Sequence, residues 1–185
     1  MFESLPASKT NIDFTNKLKE HKLFSILYYL YYYNGGGVAT GDVNNDGLPD
    51  IYFTANNTSG NKLYLNKGNF QFDDITARAG VAGKSDWCTG VTMADVNGDG
   101  WLDIYTSAIS SKYDLKGHNE LFINNGNGTF TESAANYGLA FSGLTTQSAF
   151  FDFDRDGDLD CYILNQSHHP HANIVDTANR RKYDP

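Results

Sequence analysis

Three short stretches carry side chains whose types and spacing suit a divalent cation. Each has the pattern Asp-x-(Asn/Asp)-x-Asp-Gly-x-x-Asp, with oxygen-bearing side chains at positions 1, 3, 5 and 9 and a glycine at position 6. Calcium takes about 6–8 oxygen ligands, and a glycine at position 6 allows a sharp turn, while the backbone carbonyl of position 7 can add a ligand. We therefore predict three Ca²⁺ sites. Their candidate ligands are Asp42, Asn44, Asp46, Leu48 and Asp50; Asp95, Asn97, Asp99, Trp101 and Asp103; and Asp152, Asp154, Asp156, Asp158 and Asp160.

These loops differ from EF-hands in what surrounds them. An EF-hand has a bidentate Glu at position 12 and a helix on each side, whereas position 12 here is Phe53, Thr106 or Ile163. The residues on both sides are mostly β-branched, aromatic or small, which favours strands. Each loop is therefore predicted to join two strands, and the side chain at position 7 is expected to be free to vary.

The charge of the chain is concentrated in these loops. Of 22 acidic residues about half lie in the three motifs, and three bound Ca²⁺ would reduce the formal charge of −8 to −2. No basic stripe is present to neutralise phosphates, so nucleic acid is not an expected partner. No apolar run approaches the roughly 20 residues of a membrane-spanning helix. The N-terminal residues lack the basic and apolar regions of a signal peptide.

The sequence also repeats internally. The first Asp residues of the three motifs are 53 and 57 residues apart, and residues 61–81 align without a gap with residues 119–139, with eight of 21 positions identical. In both segments a short apolar strand, an Asn/Gly turn and a Phe-containing strand follow one another. Each complete unit therefore carries four short strands in about 50–60 residues, which is the size of a propeller blade.

The motif Gly-Asp-Val-Asn-x-Asp-Gly-x-x-Asp-Ile-Tyr, followed by Leu-Tyr-x-Asn-x-Gly, resembles the FG-GAP/VCBS repeat over residues 37–166. The resemblance implies an all-β, propeller-like array of four-stranded blades in which calcium clips the first strand pair of each blade. The Phe-Gly and Gly-Ala-Pro signatures of the integrin form are absent, so the bacterial secreted or surface form is the closer match. Only about three blades are expected, whereas a closed propeller has about 4–8.

We divide the chain into an N-terminal extension, residues 1–36, and a repeat domain, residues 37–185. The units are about 37–89, 90–147 and 148–185, the last of them incomplete. Either the chain is a fragment of a longer propeller, or residues 1–33 complete the third unit in the same molecule or the next copy. The aromatic segment 24–33 favours a strand buried on both faces, with an aromatic sugar-binding platform as the alternative.

Two further groups of residues could carry chemistry. Cys88 and Cys161 lie in predicted strands, which favours free buried thiols over a disulfide. His168, His169 and His171 form a histidine cluster, for which a solvated or packed loop is the favoured interpretation and a transition-metal site the alternative.

These observations favour a non-catalytic, calcium-binding extracellular module for adhesion or self-assembly at the cell surface. The expected partners are other copies of the chain, in a homo-oligomer or filament, or an extracellular protein or glycan. The alternative is a carbohydrate-binding propeller that uses aromatic side chains such as Trp87, Trp101 and Tyr113. An enzyme is the least favoured class, because the carboxylates that could act as acid and base lie in the predicted calcium loops.

Overall fold

The computed structural model describes residues 3–18, 24–27, 29–58, 60–110 and 112–166. Within these ranges the chain forms ten strands and two helices of a single turn. The helices are α1 (Ala7–Thr10) and α2 (Thr76–Ala79). The strands are β1 (Val38–Gly41), β2 (Asp50–Phe53), β3 (Lys62–Asn66), β4 (Phe72–Asp74), β5 (Cys88–Ala94), β6 (Asp103–Ala108), β7 (Glu120–Asn124), β8 (Phe130–Glu132), β9 (Thr145–Phe151) and β10 (Asp160–Asn165).

The strands form three antiparallel sheets that follow the sequence repeat. Sheet 1 has the order β1-β2-β3-β4, sheet 2 has the order β5-β6-β7-β8, and sheet 3 pairs β9 with β10. Every sheet begins with a hairpin that encloses one acidic loop, since Asp50, Asp103 and Asp160 each begin the second strand of their sheet. The prediction that each loop joins two strands is therefore confirmed, as is the all-β class with four strands in each of the first two units.

Neighbouring sheets pack on one another through apolar side chains. The core between sheets 1 and 2 includes Tyr52 and Leu63 from one sheet and Val91, Ile104 and Phe122 from the other. A smaller cluster around Tyr105 and Leu121 receives Phe150 and Cys161 from sheet 3. Each fully buried side chain of this size contributes roughly 1.5–3 kcal/mol to folding, so these contacts hold the sheets together.

Hydroxyl groups add hydrogen bonds from one sheet to the backbone of the next. The Thr54 hydroxyl donates to the Thr89 carbonyl at 2.6 Å, and the Thr89 hydroxyl donates to the Thr145 carbonyl at 2.7 Å. Ser107 and Ser148 join their hydroxyls at 3.1 Å. The beginnings of β5 and β9 are thereby held close to the preceding sheets.

The aromatic segment 24–33 corrects one prediction. Its described residues form turns rather than a strand: the Tyr29 N–H donates to the Ser25 carbonyl at 2.9 Å, and the Tyr32 N–H donates to the Tyr29 carbonyl at 3.0 Å. Phe24, Tyr29 and Tyr32 are buried, whereas Tyr31 and Tyr33 are exposed. The local turns bring the side chains of Phe24, Tyr29 and Tyr32 together in one buried cluster.

That cluster, which we call the aromatic cluster, joins the N-terminal segment to sheets 2 and 3. Phe24 packs edge-on against Trp87, with ring centroids 4.6 Å apart. Ile109, Leu115 and Leu144 complete its buried part. Phe24, Tyr29 and Tyr32 therefore pack within their own molecule, and pairing of this segment with another copy of the chain stays a prediction.

The two cysteines are free, as predicted; Cys88 is buried and Cys161 is half-buried. Burial raises the pKa of Cys88 to about 12 and that of Cys161 to about 11. Both thiols are therefore protonated at neutral pH. His168, His169 and His171 lie outside the described residues.

The packing of Phe24 gives a direct test of how the N-terminal segment is held. Phe24→Ala should lower the free energy of unfolding by about 3–5 kcal/mol, because it empties a fully buried position between aromatic rings. Tyr33, which is 70% exposed in the same segment, provides the matched control. Tyr33→Ala should lower the free energy of unfolding by no more than about 1.5 kcal/mol, the value of one aromatic pair, because the Tyr33 ring lies 5.0 Å from that of Tyr32. Urea unfolding followed by circular dichroism measures both, and equal effects of the two substitutions would contradict this packing.

Candidate metal centre

The first acidic loop is closed by hydrogen bonds from its own backbone to its carboxylates. Asp42 accepts the N–H of Asp46 at 3.1 Å through Oδ1 and the N–H of Gly47 at 2.7 Å through Oδ2. Asp46 Oδ1 accepts the N–H of Leu48 at 2.9 Å, and Asn44 Oδ1 accepts the N–H of Asp46 at 3.3 Å. Gly47 has a φ of +86°, a conformation that glycine adopts without strain. The side chains at positions 1, 3 and 5 are therefore drawn around one turn.

The second loop has the same pattern. Asp95 accepts the N–H groups of Asp99 and Gly100, at 3.1 and 2.8 Å, and Asp99 accepts the N–H of Trp101 at 2.9 Å. Asn97 Oδ1 accepts the Asp99 N–H at 3.1 Å. Because two segments 53 residues apart adopt the same set of bonds, the motif itself directs the shape of the loop.

The aspartate at position 9 lies beneath each of these two loops. Asp50 accepts the N–H of Val43 at 2.9 Å and the N–H of Asn66 at 2.8 Å. Asp103 accepts the N–H of Val96 at 3.0 Å and the N–H of Asn124 at 2.8 Å. Their exposed fractions are 0% and 1%. Each aspartate thus ties the beginning of its loop to the third strand of its sheet, and we call this arrangement the aspartate clamp.

The electrostatics of the clamp reflect two opposing effects. Burial raises the pKa of Asp50 and of Asp103 above the ordinary value, and the neighbouring loop carboxylates add to the rise. The two backbone N–H donors act in the opposite direction, because they stabilise the charged form. A cation above the clamp would favour the charged form further.

The third loop differs because no hairpin covers it in the described residues. Asp160 accepts the N–H of Phe153 at 2.8 Å, but it is exposed. Asp152, Asp154 and Asp156 offer carboxylate oxygens that all lie within 4.8 Å of one another. A hydrogen bond between the side chains of Asp156 and Asp158 raises the pKa of Asp158. The backbone N–H of Asp158 donates to the Asp156 carboxylate and lowers the pKa of Asp156. Carboxylates this close repel one another.

The donor set fits a hard cation. The side chains at positions 1, 3 and 5 come together in every loop, and each carboxylate oxygen that accepts one N–H retains a further lone pair. The side chains of Asp50 and Asp103 face the backbone below, so their ligand role remains a prediction. Carboxylates and amide oxygens are the ligands that Ca²⁺ takes in proteins.

In the first two loops the side chain at position 7, Leu48 or Trp101, lies toward the turn of the neighbouring hairpin. A Cβ on Gly126 would lie 3.2 Å from the Trp101 ring, so the indole covers the turn between β7 and β8. A Cβ on Gly68 would lie 4.0 Å from Leu48 in the first unit. The backbone carbonyl at this position is the predicted ligand, and its side chain joins the loop to the hairpin beside it.

Two asparagines were missed as functional residues. Besides donating its N–H to the clamp, Asn66 donates its side-chain amide to the Pro49 carbonyl at 2.9 Å and accepts the Gly68 N–H at 2.9 Å. Asn124 donates to the Leu102 carbonyl at 3.1 Å and accepts the Gly126 N–H at 3.0 Å. The sequence signal for this role is that both aligned segments have asparagine at this position, where the Asn/Gly pattern by itself predicts only a turn.

Loops 1 and 2 also contact each other. Asn45 donates its side-chain amide to the Gly100 carbonyl at 3.1 Å, and Asn124 donates to the Val43 carbonyl at 2.8 Å. The two loops therefore lie at the same edge of neighbouring sheets.

The fold and the loops define a protein of repeated β-sheets, each beginning with a hairpin around an acidic loop. The model of the FG-GAP-like repeat matches residues 42–106 and 108–163, and the chain belongs to this family. It is 33% identical over 159 residues to cartilage acidic protein 1 of Xenopus tropicalis, a match that covers 83% of this chain and 23% of that protein. The chain thus spans less than a quarter of the length of this relative. No helix among the described residues is long and apolar enough to cross a membrane.

The aspartate clamp can be tested without metal. Asp103→Ala should lower the free energy of unfolding by about 2 kcal/mol or more, because each buried N–H left without an acceptor costs about 1–3 kcal/mol. Asp160→Ala is the matched control, since it removes the same motif position where the carboxylate is exposed, and it should cost less than about 1 kcal/mol. Urea unfolding in EDTA excludes any contribution of metal binding. Equal losses in the two variants would contradict the clamp.

Proposed function

We propose that this protein is a non-catalytic extracellular repeat module, stabilised by three Ca²⁺ ions, that acts in adhesion or self-assembly. The observation that carries the proposal is the convergence of oxygen side chains at positions 1, 3 and 5 in all three loops, the first two of which share one set of hydrogen bonds. The family and the sequence similarity to cartilage acidic protein 1 support an extracellular location.

A structural role for calcium follows from what the loops connect. The loop backbone already binds the carboxylates, and the aspartate clamp joins each of the first two loops to its sheet. A cation bound there would cancel the repulsion of the carboxylates and would stiffen the first hairpin of each sheet. The carboxylates of the three motifs are engaged with the backbone of their own loops, which supports a structural role for them.

The arrangement of the sheets supports a propeller-like array. Sheets 1 and 2 have the same strand order. The first strands of successive sheets contact one another: β1 contacts β5, and β5 contacts β9. Sheets that pack face to face with their first strands together form the blades of a propeller. In this proposal each calcium loop joins the first two strands of a blade.

Calcium binding should be measurable as three sites per chain, with dissociation constants of about 10⁻⁴–10⁻³ M, the range of extracellular modules. Isothermal titration calorimetry after EDTA treatment gives the number of sites. Asp42→Ala, Asp95→Ala and Asp152→Ala should each remove one site, whereas Asp73→Ala, an exposed aspartate on β4, should leave three. EDTA should lower the melting temperature of the unmodified protein. One site or none, or an unchanged melting temperature, would contradict the proposal.

The third loop tests whether charge controls affinity. It has four carboxylates at positions 1, 3, 5 and 9, whereas the other two loops have three. The third site should therefore bind calcium most tightly. Asp154→Asn should bring its affinity down to that of the other two sites, as calorimetry would measure. An unchanged affinity would show that charge number is not the controlling variable.

Self-assembly is proposed to occur through sheet 3. In sheets 1 and 2 a second hairpin covers the second strand, but β10 pairs only with β9 among the described residues. Tyr162 and Leu164 on β10 are 60% and 48% exposed. An unpaired strand edge templates pairing with another chain. Antiparallel pairing of β10 with β10 of a second copy would give a four-stranded sheet and would keep the two acidic loops at opposite ends.

This dimer should form in the presence of calcium, and it should dissociate when lysines are placed on strand β10. Sedimentation velocity over a concentration series measures it. Tyr162→Lys combined with Leu164→Lys should give a monomer, because lysines at a strand edge oppose pairing. Phe70→Lys, at a position 66% exposed on the turn before β4, is the control and should remain dimeric. An unmodified protein that stays monomeric at the highest concentration would rule out this mode of assembly.

A further inference from the structure

A cavity of about 210 Å³ lies where the beginnings of the first strands of the three sheets meet. Its walls come from the glycine run 35–37 and from residues 89–91 and 146–147 at the beginnings of β5 and β9. The turns of the N-terminal segment and Gln166, after β10, line another side, and the cavity is open to solvent. None of the residues that line this cavity belongs to the three acidic loops.

The residues around the cavity are aromatic or neutral polar. Tyr29, Tyr31 and Trp87 supply rings, and the amides are those of Asn34, Gln147 and Gln166. None of the described lining residues is an Asp, Glu, Lys, Arg or His. Among these described residues a phosphate, carboxylate or ammonium ligand would find no opposite charge. The wall instead suits a neutral ligand that has an apolar face and several hydroxyls.

Much of the wall is held in place before any ligand arrives. Gln166 donates its side-chain amide to the Tyr29 hydroxyl at 2.9 Å. Trp87 is packed between Phe24 and Tyr32, at ring distances of 4.6 and 5.2 Å. Tyr31 remains 49% exposed, with its ring 5.9 Å from that of Tyr29. The site therefore combines fixed rings with one accessible ring that a ligand can cover.

The glycines allow the backbone segments around the cavity to approach closely. A Cβ on Gly37 would lie 2.7 Å from the Thr89 carbonyl oxygen, and one on Gly36 would lie 2.0 Å from that of Thr54. A Cβ on Gly90 would meet Gln147 Oε1 at 1.8 Å. Side chains at these positions would push the segments apart or displace the Gln147 amide from the cavity wall.

We propose that this cavity binds one unit of a neutral saccharide, with a face of the sugar ring on Tyr31 and its hydroxyls on the amides of Asn34 and Gln147. Sugars match the wall because their C–H faces pack on aromatic rings while their hydroxyls both donate and accept hydrogen bonds. Pockets for drug-sized ligands are about 300–1,000 Å³, so the smaller volume here suits one sugar unit. Of the aromatic residues predicted for sugar binding, Trp87 lies at the cavity, whereas Trp101 covers a hairpin turn and Tyr113 packs in the aromatic cluster.

Tryptophan fluorescence provides the test because the chain has two tryptophans. Trp101→Phe leaves Trp87, in the cavity wall, as the single tryptophan, and excitation at the long-wavelength edge of tryptophan absorption avoids the 12 tyrosines. This protein, saturated with calcium, is titrated with glucose, galactose, mannose and N-acetylglucosamine. We expect a saturable change with at least one of them, with a dissociation constant on the order of 1 mM, equivalent to about −4 kcal/mol. The absence of a saturable change with all four sugars would overturn the proposal.

Variants in the Trp101→Phe background distinguish binding of sugar in this cavity from a non-specific effect of sugar on the fluorescence of Trp87. Tyr31→Ala and Gln147→Ala should each weaken binding at least tenfold while leaving the melting temperature unchanged. Tyr33→Ala is the matched control, because Tyr33 is exposed in the same segment but does not line the cavity, and it should bind as before. Equal affinity in Tyr31→Ala and Tyr33→Ala, or tighter binding of glucuronate than of glucose, would overturn the proposal.

Discussion

The aspartate clamp is the interaction on which the rest of the structure depends. Asp50 and Asp103 are buried carboxylates, and each accepts one N–H from its loop and one from the third strand of its sheet. A buried charge is tolerated only when such partners are present. One side chain therefore fixes the loop to the hairpin that follows it, and it does so directly beneath the proposed metal position. In sheets 1 and 2 the last residue of the motif thereby joins the first hairpin to the second.

The second constraint is the contact between sheets. Apolar side chains such as Tyr52 and Ile104 fill the space between sheets 1 and 2, and threonine and serine hydroxyls bind the backbone of the neighbouring sheet. A hydroxyl that leaves water needs a partner in the interior, so these bonds fix how the sheets are placed as well as their stability. The same placement brings three first strands and the glycine run together, and it thereby creates the cavity to which we assign a sugar.

Sheet 3 differs from sheets 1 and 2 because it has no second hairpin among the described residues. Asp160 is exposed, whereas Asp50 and Asp103 are buried. Leu48 and Trp101 pack toward the turn glycines of their hairpins. Tyr162 and Leu164 are exposed on the open strand. The hairpin thus buries the clamp and the second strand together, which explains why four strands form the unit of this fold.

The sequence by itself determined the loops, the first hairpin of each unit and the second hairpin of units 1 and 2, because these depend on local turn chemistry and on strands that neighbour one another in the chain. It did not determine the conformation of residues 24–33, where aromatic composition favoured a strand but packing against Trp87 and Ile109 produced buried turns. The aligned pair Lys62 and Glu120 illustrates the same limit. Lys62 forms an ion pair with Asp74 at 2.6 Å, whereas Glu120 is 1% exposed and accepts the Lys84 N–H at 2.8 Å. Only the tertiary structure decides between these environments, because the segment before β5 folds over Glu120, and burial then raises the pKa of that carboxyl.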